Sequence, residues 1–234
     1  MIEIVAFDAD DTLWHSEGMF HDAATRMAGM VALHASPEAV YARLHEIETG
    51  NHHLFGYGAK GFTLSMVEAA IELSGGRIGA IEIGEIIAMG KAMLECPVDL
   101  LDGVPEVLEA VGRRYPLYLV TKGDPVDQRR KISKSGLAGC FERIEVVQEK
   151  KAPVYRDLFD RHGVDPASVM MVGNSVPSDV LPVIELGGRG VYIPYVVTAS
   201  FERHREDPEH DRFHKLESIR QLPGLLDRLA GPLT

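Results

Sequence analysis

Two cysteines among 234 residues are too few for a disulfide framework, and neither Cys96 nor Cys140 has a Cys or His neighbour at metal-ligand spacing. Both are expected to be reduced, buried thiols in a cytoplasmic protein. No block of Lys or Arg interrupts a chain with 35 acidic against 24 basic residues and a net charge of -11. That excludes the basic footprint which nucleic acid or an anionic membrane surface requires. No stretch approaches the roughly 20 consecutive apolar residues of a membrane span. The opening MIEIVAFDAD has no basic region before its short apolar run and carries an acid at residue 3, so no secretory signal is expected. Internal repeats and low-complexity segments are also lacking.

What is present is apolar material in quantity, 45% of the chain, enough for one large domain or a domain with an insertion. Ile2-Glu3-Ile4-Val5-Ala6-Phe7, Leu117-Tyr118-Leu119-Val120, Ile144-Glu145-Val146-Val147, Val169-Met170-Met171-Val172 and Gly190-Val191-Tyr192-Ile193 are short, β-branched or aromatic, and mostly continuous in apolarity. Strands of that kind belong to a parallel sheet covered on both faces. Helical patterns over about 104–114, 125–136, 153–163 and 177–187 alternate with them. The alternation predicts an α/β fold, a doubly wound and mostly parallel sheet whose crevice lies beyond the carboxyl ends of its strands.

Residues 15–98 differ. AATRMAGMVALH, SPEAVYARLHEIE, FTLSMVEAAIELS and AIEIGEIIAMGKAMLE are all helically patterned, and Ser36-Pro37-Glu38 has the Ncap, first-turn proline and acid of a helix start. We expect an all-helical cap over 15–98, inserted into a core domain of 1–14 and 99–234. Its methionines, Met27, Met30, Met66, Met89 and Met93, are expected to pack its core.

Four short pieces fall at strand ends: Asp8-Ala9-Asp10-Asp11-Thr12, Thr121-Lys122-Gly123-Asp124, Gln148-Glu149-Lys150-Lys151 and Gly173-Asn174-Ser175-Val176-Pro177-Ser178-Asp179. Each alone is commonplace as a turn. In this order, each at the functional end of its strand, they resemble the motifs of the haloacid dehalogenase superfamily: Asp-x-Asp-x-Thr, a Ser or Thr after a strand, a Lys, and an acidic turn. The resemblance covers about 2–14 and 100–195, and the helical insertion matches the commonest cap position in that superfamily.

The resemblance implies a Mg2+-dependent phosphatase acting on a small phosphorylated metabolite through an aspartyl-phosphate. Asp8 is then the nucleophile. Asp10 is the acid that protonates the leaving oxygen and the base that activates water. Thr121 and a third-motif lysine bind the phosphoryl oxygens and keep Asp8 ionised. Lys150 is favoured over Lys151 by its spacing to Tyr155, with Lys122 a third candidate. The metal falls to Asp8, the Asp10 carbonyl and the fourth motif, where Asn174 stands in place of the usual Asp; its amide oxygen can still coordinate, with Asp179 supplying charge directly or through water. Thr12 fits the first motif, in orienting its loop.

Other signals point less far. Gly56-Tyr57-Gly58-Ala59-Lys60-Gly61 is a G-x-G-x-x-G, yet it follows Asn51-His52-His53-Leu54-Phe55 rather than a buried strand, so a dinucleotide site is not expected. As a loop over the active site it would let His53, Tyr57 and Lys60 reach substrate. His204, His210 and His214 lie in a charged stretch without zinc spacing and are expected on a solvated surface. Rival activities on the same motifs are a 2-haloacid dehalogenase, against which Asp10 argues because known dehalogenases lack the second Asp, a phosphonate hydrolase needing a cap lysine such as Lys60 or Lys91, a sugar-phosphate mutase, and a non-catalytic binding protein.

Overall fold

The four residues of β1 (Ile4–Phe7) are apolar and buried without exception, so the strand needs cover on both faces. It is found at the centre of a computed structural model that describes residues 1–196 and 206–230. Contacts divide the chain into two units, Met1–His15 with Val98–Thr234, and Ser16–Pro97.

The first unit holds a six-stranded sheet in the order β3-β2-β1-β4-β5-β6. The other strands are β2 (Leu117–Lys122), β3 (Arg143–Val147), β4 (Val169–Gly173), β5 (Arg189–Tyr192) and β6 (Phe213–Lys215). Every pairing is parallel. Side chains alternate between two apolar layers: Val5, Phe7, Met170 and Val172 join one core, and Ile4, Ala6, Val169 and Met171 the other. Full burial of each such side chain is worth about 1.5–3 kcal/mol. The doubly wound parallel sheet expected from the sequence is present.

Two strands depart from expectation. β3 is an edge strand with its first two residues exposed, and its Glu145 faces His162 at 2.7 Å and Arg161 at 3.4 Å instead of a core. β6 is three residues, Phe-His-Lys, with no apolar run to announce it. His214 thus forms part of a strand rather than of a solvated stretch, while His204 lies outside the described residues.

Helices of this unit are α5 (Val104–Gly112), α6 (Pro125–Ser135), α7 (Ala152–Arg161), α8 (Leu181–Glu185) and α9 (Leu222–Ala230), numbered after the four of the second unit. The Asp124 side chain caps α6 by accepting from Asp127 N at 2.8 Å, and Gly136 at φ 73 closes it in the left-handed conformation that glycine tolerates. The helix expected over 177–187 opens instead as a π turn over Val176–Val180 before α8. Neither cysteine is buried: Cys96 is half-exposed and Cys140 exposed, both as free thiols. Each sits at a connection, Cys96 after a helix and Cys140 in a short 3-10 turn whose flanking Leu137 and Phe141 take the core positions.

The second unit is all-helical: α1 (Glu17–Met30), α2 (Pro37–Phe55), α3 (Ala59–Leu73) and α4 (Ala80–Glu95). Ser36 Oγ accepts from Ala39 N at 3.3 Å with Pro37 in the first turn, the start signal read in the sequence. Met27, Met66 and Met89 are buried among Ala23, Ala69 and Ala70, with Met30 and Met93 at the margin. The glycine-rich segment runs from the end of α2 into α3, with Gly58 at φ 106 as the residue before the helix. Among the described residues, no helix is long and apolar enough to cross a membrane.

Close approach of α3 and α4 depends on Gly90, where an added Cβ would lie 2.0 Å from Thr63 Oγ1 and 2.7 Å from Thr63 Cγ2. Thr63 is itself held by a 2.6 Å bond to the Ala59 carbonyl. Gly90→Ala should therefore destabilise by about 1–3 kcal/mol, against the gain of about 1 kcal/mol that the same change brings in an unhindered helix. A thermal melt of the variant checks the sign.

Candidate active site

Past the end of β1 the chain turns sharply. Asp8 N still bonds the Val172 carbonyl at 2.9 Å, Leu13 N returns to the Ala9 carbonyl at 2.8 Å, and Asp11 N bonds the Trp14 carbonyl at 2.7 Å. Asp11 adopts φ 61, a conformation that Asp tolerates better than most residues. Leu13 and Trp14 are buried and pin the loop from below. Thr12 Oγ1 donates back to Asp8 Oδ2 at 3.0 Å and lies 3.4 Å from Asn174 Oδ1.

The other Asp8 oxygen, Oδ1, accepts from Lys150 Nζ, which also reaches Asp179 Oδ1 at 2.7 Å. The Lys150 side chain is 3% exposed and that of Asp179 1%. Burial alone would depress the ammonium, but the facing Asp179 and Asp8 charges more than offset it and hold Lys150 well above the usual lysine range. Lys151, the competing candidate, is 71% exposed and leans only on Glu149 at 3.6 Å. The second oxygen of Asp179 accepts from Ser175 N at 3.0 Å. The π turn over Val176–Val180 folds this carboxylate under Gly173, where a Cβ would lie 2.1 Å from Asp179 Oδ2. π turns recur at functional sites for such re-aiming of a side chain.

Asp10 faces a different set of partners. Lys131 Nζ contacts both its oxygens at 2.6 and 2.8 Å, Trp14 Nε1 donates to Oδ1 at 2.7 Å, and Gln128 Nε2 donates to Oδ2 at 2.8 Å. Burial would raise this carboxyl, yet the Lys131 charge and the bonds from Lys131, Gln128 and Trp14 outweigh it and keep Asp10 below the usual carboxylate range. Thr121, next to last in β2, is a buried hydroxyl bonded by Gln128 Nε2 at 3.1 Å, and the neighbouring Lys122 carbonyl takes a 2.9 Å bond from the same amide.

Asp8, Thr12, Lys150, Asn174 and Asp179 are thus linked directly, and Asp10 is joined to Thr121 through Gln128. His53, Tyr57 and Lys60 belong to the helical unit, where the Tyr57 ring lies 4.1 Å from that of His52. Gln128 and Lys131 were not anticipated from the sequence. Their one legible signal is the i, i+3 spacing on α6, which puts both on one helix face just after the second motif.

The oxygens gathered at Asp8 are hard donors: its own carboxylate, the Thr12 hydroxyl and, next to that hydroxyl, the Asn174 amide oxygen. Such a set suits Mg2+, which takes one or two carboxylates and retains water. Among the described residues no group of three His, Cys, Asp or Glu is arranged to hold a metal.

A parallel sheet covered on both faces, with a buried carboxylate–lysine site beyond its strand ends, defines an α/β enzyme. The family model of the haloacid dehalogenase-like hydrolases matches residues 2–187, and the chain belongs to that family. A haloacid dehalogenase-like family hydrolase from Xanthomonas campestris is similar in structure with a TM-score of 0.88 and 37% identity, over 98% of this chain and 94% of its own. A 2-haloacid dehalogenase from Pseudomonas syringae pv. tomato shares the fold at a TM-score of 0.65 and 18% identity, over 98% of this chain and 100% of its own. N-acylneuraminate-9-phosphatase of Mus musculus is 33% identical over 86 residues, 35% of each chain. The match spans about a third of that relative's length.

Removing the ammonium from between Asp8 and Asp179 leaves two buried carboxylates facing each other. Lys150→Met should cost about 3–5 kcal/mol, the usual penalty for breaking a buried pair from one side. Urea denaturation of the variant beside wild type measures it.

Proposed function

We propose that this protein is a Mg2+-dependent phosphatase that hydrolyses a small phosphorylated metabolite through an aspartyl-phosphate on Asp8. The observation that carries this reading is the pair of acids two residues apart in different settings, Asp8 against Lys150 and Thr12, Asp10 against Lys131, Gln128 and Trp14. A halide leaves without a proton, so the first half of a dehalogenation needs no acid beside the nucleophile. An ester oxygen needs a proton on departure, and a second acid serves that need.

Asp8 Oδ attacks phosphorus while the ester P–O bond breaks, and Asp10 gives its proton to the departing oxygen. Water then attacks the phosphorus of the acyl phosphate, Asp10 takes the water's proton, and Asp8 is released as a carboxylate. Lys131 favours ionised Asp10, the form suited to the second half; in the first half this ion pair must loosen. Lys150 keeps Asp8 ionised as the nucleophile and offsets charge on the phosphoryl oxygens, to which Thr121 donates its hydroxyl.

Bound Mg2+ would neutralise the repulsion between Asp8 and a phosphate dianion and polarise a phosphoryl oxygen. In this reading Asp8, the Asp10 carbonyl and the Asn174 amide oxygen hold it, and Asp179, both of whose oxygens are engaged by Lys150 and Ser175, acts through the lysine. Substrate choice falls to the helical unit, proposed as the cap, with His53, Tyr57 and Lys60 as candidates to meet the substrate. The net charge of -11 fits a cytoplasmic enzyme of small molecules rather than a binder of nucleic acid.

Release of inorganic phosphate from a panel of small phosphate esters tests the activity. Turnover should require Mg2+, stop with EDTA and fall at least about a thousandfold in Asp8→Asn, since the nucleophile is lost. Turnover that persists in the variant would refute the assignment of Asp8. The metal assignment has its own test in calorimetric titration with Mg2+. Asn174→Asp adds a charged ligand and should tighten binding by about tenfold, whereas Asn174→Ala should weaken it. An unchanged affinity in Asn174→Ala removes Asn174 from the ligand set.

A further inference from the structure

Helix α6 reaches the first-motif loop through two side chains, Lys131 and Gln128, whose hold on Asp10 goes beyond the charge effect of Lys131 described above. Lys131 grips both Asp10 oxygens, at 2.6 and 2.8 Å. Its side chain is only 16% exposed and that of Asp10 26%, so this is not the solvated surface pair whose contribution is usually negligible. Gln128 is buried, and its Nε2 faces three acceptors, Asp10 Oδ2 at 2.8 Å, Lys122 O at 2.9 Å and Thr121 Oγ1 at 3.1 Å.

Two further observations say that the Gln128 amide is oriented for those acceptors. Among the described residues its Oε1 has no hydrogen-bond partner although buried, an arrangement that costs about 1–3 kcal/mol. Turning the amide over would set that oxygen against the Asp10 carboxylate and the Lys122 carbonyl. Space for the side chain comes from Gly123, where a Cβ would lie 2.9 Å from Nε2 and 3.1 Å from Cγ of Gln128.

We infer that Lys131 and Gln128 are positioning residues for the base of this site: Lys131 sets where the Asp10 carboxylate stands, and Gln128 ties it to Thr121. The acid after β1 and the hydroxyl at the end of β2 then keep a fixed separation through one amide, with α6 as the rigid support. The inference rests on the phosphatase reading. In that reading water attacks the phosphorus of the aspartyl-phosphate, the bond from phosphorus to Asp8 Oδ breaks with its electron pair left on Asp8, and the proton the water gives up goes to the Asp10 carboxylate that Lys131 and Gln128 hold.

p-Nitrophenolate leaves without needing a proton, so with p-nitrophenyl phosphate kcat/KM reports phosphoryl transfer to Asp8, while a slowed attack of water shows in kcat and as a burst of p-nitrophenolate. The test is kcat, kcat/KM and the burst, for p-nitrophenyl phosphate and for an alkyl phosphate, in wild type, Lys131→Met, Lys131→Arg and Gln128→Met. On p-nitrophenyl phosphate Lys131→Met and Gln128→Met should each lose about tenfold or more in kcat, a part of the 10²–10⁴ that a positioned base supplies, and less than about threefold in kcat/KM. Lys131→Arg, which keeps a cation of similar reach, should recover most of the loss. Far-ultraviolet circular dichroism verifies folding, and Lys131→Gln carries the same expectation if Lys131→Met does not fold. Equal losses in kcat and kcat/KM on p-nitrophenyl phosphate, or none, would overturn the positioning role while leaving the phosphatase reading intact. A folded wild type inert on both esters with Mg2+ present would overturn that reading, and the inference with it.

Discussion

The ammonium of Lys150, buried between Asp8 and Asp179, is the interaction on which the functional end of the sheet depends. An ion taken out of water costs several kcal/mol, recovered only when its partners stand at bonding distance on more than one side. The partners here come from separate segments, Asp8 after β1, Lys150 after β3 and Asp179 after β4. None of the three can be docked usefully without the others. Local features serve the same end: Gly173 leaves room for the Asp179 carboxylate that a Cβ would strike at 2.1 Å, the Ser175 amide holds that carboxylate's second oxygen at 3.0 Å, and the π turn brings the side chain back under its own strand.

Sheet order makes this convergence possible. β1 lies between β2 and β4, so the end of β2 with Thr121 and the loop that carries Asn174 flank the loop that carries Asp8. The edge strand β3 is two places away and must reach inward with a long side chain. A lysine does so with a flexible four-carbon stem and a compact charge that two carboxylates can share. Lys151, one residue on, points its charge into water. On a segment leaving a strand, consecutive side chains face opposite ways, so only one of two adjacent lysines can turn inward.

That rule also marks how much was legible beforehand. The strands β1, β2 and β4 could be read because burial on both faces demands continuous apolar residues, and Ile4-Val5-Ala6-Phe7 and Val169-Met170-Met171-Val172 have little choice of environment. β6 could not, since Phe-His-Lys gains its place only by pairing with β5. The motif residues were legible through a resemblance of order and spacing; the choice between Lys150 and Lys151 was not settled by it, because it turns on direction rather than on type. Gln128 and Lys131 escaped for another reason. Their bonds to Asp10 span 118 and 121 residues, and in the sequence they read as polar positions of an ordinary surface helix with the pattern Gln-Arg-Arg-Lys. The exposure of Cys140 was missed in a similar way, since its neighbours Leu137 and Phe141 take the core positions.

Charge separates the possible reactions more sharply than fold does, because the same fold carries a 2-haloacid dehalogenase. Asp10 is matched by Lys131, and Lys150 cancels one of the two charges on Asp8 and Asp179, leaving one net negative charge beside the nucleophile. An Asp at position 174 would leave two; Asn174 supplies an oxygen and no charge. A phosphate dianion approaching a single uncompensated carboxylate is still repelled, so the phosphatase reading requires a cation from solution, and an all-oxygen set with one direct carboxylate will hold it loosely. On that reading metal and substrate would bind best together, and the neutral side chain at 174 would leave less of the work of holding the ion to the protein.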